Sequence, residues 1–203
     1  MRAGWMSRQA RIAAVAAVFA VLPEMAAAGE PRLTISVYDY ADVDPSMLAH
    51  AGRAVVEGFA AIGVTVEWAE RCARPECFTS ESRPVPPAGE VAELTVYINT
   101  EERSPAHYDR PVMGAAPTGS YMAYAYFDRV RAFAFERNLF LGTVLGHVIA
   151  HELGHLLLRE GHTSAGLMRA LWTSADLRAM QQGRLGFTAG QGARIRAEVT
   201  RLG

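Results

Sequence analysis

Residues 151–155 read His-Glu-Leu-Gly-His. On a helix, two imidazoles four positions apart project from one face, so their ring nitrogens converge on one point. That arrangement suits a divalent metal, and zinc is the ion most often held this way. Glu152 stands one position on, rotated toward the edge of the same face. From there a carboxylate can reach water held at the metal without being a ligand, and take its proton as it attacks a carbonyl. Five positions with three defined residues are only moderately specific. The surroundings strengthen the reading, because Leu139 to Leu158 is apolar on nearly every side. Two imidazoles and a carboxylate buried there are costly unless something partners them, and a cation does so.

A third ligand has to come from further along. His162 lies eleven residues after His151, so in an unbroken helix it would stand about 16 Å away along the axis. It reaches the same ion only if the helix stops soon after His155 and the chain folds back. Arg159-Glu160-Gly161 offers that stop, with Gly161 able to take the left-handed conformation that closes a helix. His147, one turn before His151, is expected to pack or to hydrogen-bond near the site rather than to ligate. Asp176 is an acidic alternative to His162, but after Thr173-Ser174 it reads more simply as a residue of a helix start. Met168, after a glycine-containing loop, suits a gap-filling core position.

Taken together, His151, Glu152, His155, Gly161-His162-Thr163 and Leu167-Met168 resemble the metzincin zinc metalloproteases, particularly the matrixin-type pattern. In that family H-E-x-x-H is followed by x-x-G-x-x-H and later by a methionine turn beneath the metal. The resemblance implies Zn2+ held by His151, His155 and His162, with Glu152 as general base and Met168 as the turn methionine. It covers roughly residues 147–172, and GHTSAGLMRALW also resembles the ends of exported bacterial proteins carrying an AHELGHLLL helix. The family glycine would fall at Leu158 and the third histidine at Gly161, so this chain carries one extra residue before His162. The resemblance further implies peptide or protein substrates, extended along an edge strand above the active-site helix. Tyr121 to Phe127 is the candidate for that edge, although an aromatic strand packed on the core accounts for it equally well.

The elements that must position these residues follow from periodicity. Leu33 to Tyr40 alternates as a strand. Asp44-Pro45 caps a helix that carries Leu48, Ala51, Val55 and Phe59 and ends near Gly63. Val64 to Trp68, Leu94 to Ile98 and Tyr121 to Phe127 read as further strands, with Pro/Gly-rich connections at 71–89 and 104–119. Asp128 is placed to cap a short helix, and helices are expected near 139–158, 175–182 and 189–202. The order β-α-β-β-β-α predicts an α+β, zincin-like or metzincin-like domain. It has a mixed twisted sheet of about four to five strands, a long active-site helix and a small helical C-terminal part.

Residues 1–28 carry Arg2, Arg8 and Arg11, then the apolar run Ile12 to Leu22, Pro23 and Ala26-Ala27-Ala28. That succession predicts a signal peptide, export to the periplasm or medium, and no membrane span after its removal. Residues 29–203 are then one domain. In an oxidising compartment Cys72 and Cys77 are expected to form a small disulfide. A net charge of −1, with all 20 basic residues arginine and none clustered, gives no sign of nucleic-acid binding. Two functions stay open: a metallopeptidase, or a non-catalytic zinc module whose metal supports the fold or a partner surface. Structural zinc usually takes four protein ligands, whereas three ligands beside a carboxylate favour catalysis.

Overall fold

A computed structural model describes residues 30–71, 91–100 and 112–203 of the 203-residue chain. The leader, Cys72 and Cys77 lie outside the described residues. Five strands form one sheet in the order β2-β1-β3-β5-β4. They are β1 (Arg32–Asp39), β2 (Thr65–Arg71), β3 (Ala92–Asn99), β4 (Gly114–Ala115) and β5 (Met122–Tyr126). The first four in that order run parallel, and β4 pairs antiparallel with β5 through Gly114↔Ala125 and Ala115↔Tyr124. The sheet is therefore mixed, as its element order implied.

Inward-facing Leu33, Ile35 and Val37 of β1 and Leu94, Val96 and Ile98 of β3 are fully buried. They belong to one core with α1 (Pro45–Ala60) and α3 (Leu141–Leu158). Helix α1 starts where expected: the Asp44 side chain accepts from the Ser46 and Met47 amides, and Pro45 follows it. Helix α3 lies close against α1 because Gly142 and Gly146 carry no side chain there. A Cβ on Gly146 would meet the Ala51 carbonyl at 2.7 Å, and one on Gly142 would meet the Met47 carbonyl at 3.1 Å. Glycine costs stability in a helix interior, and here it secures the close crossing. Leu145, Ile149 and Leu153 of α3 are fully buried, each burial contributing roughly 2 kcal/mol. This helix is apolar and long enough to cross a bilayer by composition, but 78% of it is buried within the protein.

Helix α2 (Phe127–Glu136) leaves β5 directly, with Tyr126 as its N-cap residue and no side-chain cap. Asp128, expected to cap it, sits inside its first turn and pairs with Arg131 at 2.7 Å. The strand runs into the helix without a turn, which leaves the cap position to a strand residue. Beyond α3 come α4 (Ser174–Gln181) and α5 (Ala189–Leu202), each opened by a capping box, Thr173 with Asp176 and Thr188 with Gln191.

Two expectations are corrected. Strand 121–127 is not the free edge of the sheet: β5 lies between β3 and β4, and Tyr126 N–H also donates to the Met113 carbonyl. The covering strand β4 has two residues, too few to leave a period in the sequence. Nor does Gly161 close the long helix. Arg159 does, taking the left-handed conformation at φ 52° while its N–H donates to the His155 carbonyl at 3.0 Å. Gly161 is not among the residues with positive φ, so the reversal begins two residues earlier than its glycine suggested.

Candidate metal centre

The reversal after Arg159 brings His162 back to the helix face that carries His151 and His155. One ring nitrogen from each of the three lies within 4.8 Å of the other two. The ring centroids are 4.7 Å apart for His151–His155, 4.8 Å for His155–His162 and 5.2 Å for His151–His162. Among the described residues this is the one group of three or more such side chains able to share an ion. Asp176 is not part of it. Its carboxylate receives the Thr173 amide and hydroxyl, both at 2.7 Å, and pairs with Arg169 at 3.0 Å.

Backbone carbonyls set the imidazole tautomers. His151 Nδ1 lies 2.8 Å from the Leu167 carbonyl, and His155 Nδ1 lies 2.9 Å from the Glu160 carbonyl. A carbonyl oxygen only accepts, so each Nδ1 carries a proton and Nε2 is left as the nitrogen that can ligate. Those two Nε2 atoms face one another at 3.1 Å. Two lone pairs that close repel unless a cation lies between them. An ion bound tetrahedrally at roughly 2.0–2.1 Å would hold its nitrogens about 3.3 Å apart, close to this spacing. The donor set fits Zn2+: three imidazoles, two with their outer nitrogens anchored, and the fourth direction open.

Burial is graded across the site. His151 is buried, His155 half-buried and His162 exposed, so the group opens to solvent on the His162 side. Burial pushes the His151 pKa down to about 4, with His155 and His162 adding to the effect and the Leu167 carbonyl partly opposing it. Burial, then His155, also lowers that of His162. Both shifts favour the neutral form that ligates metals. Glu152, one residue on from His151, is buried, and burial alone pushes its pKa up to about 8. Its side chain lies against Gly114 of β4, where an added Cβ would meet Glu152 Cγ at 2.6 Å and Oε1 at 2.7 Å.

His147 is not in the ligand group. It is buried, and its Nδ1 donates to the Thr143 carbonyl at 2.7 Å. Met168 is fully buried against the long helix at Gly154, between the two helical histidines.

Three contributors left no trace in the sequence. The Leu167 carbonyl orients His151 and also accepts from Trp172 Nε1 at 3.0 Å, and a main-chain acceptor has no residue type to betray it. Trp172, whose ring lies 6.0 Å from that of His151, reads as ordinary core. Gly114 sits in a Pro/Gly-rich connection that looks like any loop.

No family model matches the sequence, nor does the sequence of any curated protein. Among solved structures, a zinc-dependent peptidase from Methanocorpusculum labreanum is similar at a TM-score of 0.50 and 16% identity, over 80% of this chain and 99% of that one. An archaemetzincin from Methanopyrus kandleri gives 0.48 and 16%, over 85% of this chain and 97% of that one. At that identity the first likeness shows a shared α+β fold and nothing of activity.

Proposed function

We propose that this chain is a zinc metallopeptidase that hydrolyses peptide bonds with Glu152 as general base. One observation carries the reading: three imidazoles converge beside the buried Glu152 side chain, on the side of the helix that opens to solvent. His151, His155 and His162 would hold the ion. When bound, zinc supplies Lewis acidity, which polarises a carbonyl and lowers the pKa of water. Beside an ion held by the three histidines, the ionised form of Glu152 is favoured. Its carboxylate then takes the proton from the attacking water and passes it to the nitrogen of the departing amine. Packing against Gly114 and burial in the helix hold that carboxylate in place. An extended peptide would lie along β4, the outermost described strand on the site's side, where main-chain pairing gives binding without strong sequence demands. The leader-like residues 1–28 support an exported setting.

The test is Glu152→Gln, which keeps size and hydrogen bonding but cannot take a proton. Zinc content of the purified chain should stay at one per chain while peptide-library cleavage falls by roughly 10²–10⁴-fold. Wild-type-like cleavage by the variant would remove Glu152 from its role. A wild-type chain that binds zinc and cleaves no peptide would favour the non-catalytic module.

A further inference from the structure

The six residues from Leu158 to Thr163 carry the chain from the helical histidines to His162, and helix α5 grips that turn from outside. Arg194 reaches two of its residues. One guanidinium nitrogen donates to the Leu158 carbonyl at 3.0 Å, and another pairs with the Glu160 carboxylate at 2.5 Å. Glu198 pairs with Arg159 at 3.0 Å. Gln191 Nε2 donates to Thr163 Oγ1 at 3.1 Å, immediately after His162.

Each contact meets a need created by the reversal. Leu158 is the last residue of the helix, so its carbonyl lacks the amide that a further turn would provide. Arg159 holds a left-handed conformation that costs a non-glycine residue stability. Glu160 turns its backbone carbonyl to His155 Nδ1, so restraint of its side chain also restrains the acceptor that orients a ligand. Thr163 is the anchor on the far side of His162, and its own amide donates to the Met168 carbonyl at 2.9 Å.

We infer that Arg194 and Gln191 of helix α5 are positioning residues for the metal centre: they hold the 158–163 turn so that His162 and the His155 ring meet one ion. The inference rests on the three-histidine metal reading and extends it to a helix that contributes no ligand. The left-handed Arg159 gives this support its value, because a non-glycine residue holds that conformation only at a cost, and ordering the turn around an ion costs further entropy. The α5 contacts fix that turn before the ion arrives.

The experiment compares the full-length chain with Arg194→Ala, Gln191→Ala and the double variant, alongside His162→Ala. Zinc affinity is read by chelator competition and ligand number by the visible absorption of the cobalt-substituted protein. Losses of a ligand's supporting partner weaken metal binding by about 10–100-fold, and each single variant should fall near the lower figure. In the double variant the cobalt spectrum should approach that of His162→Ala. Arg194→Ala alone, which leaves the Thr188–Gln191 capping box intact, should keep its metal-free Tm near wild type, whereas Gln191→Ala also loses that cap. Arg194→Lys, which can keep the Glu160 pair, should recover part of the loss. Unchanged affinity and an unchanged cobalt spectrum in the double variant would overturn the inference alone. A wild-type chain that binds neither metal would overturn it together with the metal reading beneath it.

Discussion

Met168 fills the space into which Gly154 would project a side chain: its Sδ is the nearest atom to a Cβ built there, and the Phe187 ring follows at 2.8 Å. Gly154 is the residue before His155, so the methionine presses on the helix between the two helical ligands. The absent side chain at 154 and the long one at 168 are one packing solution.

That relationship gives a coupling. Gly154→Ala should destabilise the chain by about 1–3 kcal/mol through overpacking, as read by urea unfolding. Shortening Met168 to Ala removes the nearer obstruction and leaves only the edge of the Phe187 ring. The double variant should therefore be more stable than the summed single effects allow, by at least about 0.5 kcal/mol. Simple additivity would mean the two side chains do not share this space.

Gly114 makes a prediction about catalysis rather than folding. Ala there would crowd the Glu152 carboxylate at 2.6–2.8 Å, and the strand edge leaves the sheet little else to lose. The variant should keep its zinc and its Tm within a few degrees, yet lose on the order of 10²-fold in kcat, as expected for a misplaced catalytic group. Retained turnover would count against the proposed role of Glu152.

Metal removal should be visible in stability. Zinc at 100 times its Kd contributes about 2.7 kcal/mol, or roughly 5–10 °C in Tm for a domain of this size. A chelator should remove that increment from the wild type and from Glu152→Gln alike. His151→Ala should start without it. A chelator effect that persists in His151→Ala would point to a second site.

The Asp176 cap gives a pH dependence away from the metal. The Thr173 side chain, then its amide, and then Arg169 hold the Asp176 carboxyl below its ordinary value. A depressed folded-state pKa means stability that is full above the unfolded value of about 3.9 and is lost as pH falls through the folded one. Asp176→Ala should lower Tm by roughly 2–4 °C between pH 5 and 8, about 1 kcal/mol of capping. The gap to wild type should close below about pH 4. A gap that persists at pH 2–3 would assign the loss to packing instead.

Much of this molecule could be read one residue at a time. The helix 141–158, its paired histidines and Glu152 were legible because three polar residues on one arc of an apolar helix are costly to bury without a cation to partner them. Strands β1, β2, β3 and β5 announced themselves by alternation, and the Asp44 and Thr173 caps by residue type. What the tertiary structure alone decided was the meeting of distant parts. It set the left-handed turn at Arg159 where glycine was expected at 161. It added the two-residue strand β4, which takes the sheet edge from β5 and packs Gly114 on Glu152. It brought in the Leu167 and Glu160 carbonyls that fix the imidazole protons, and the α5 side chains on the 158–163 turn. The reason is physical: periodicity and capping are local properties that a side chain carries in its own identity. Main-chain acceptors and close approaches belong to whichever residues the fold happens to bring together.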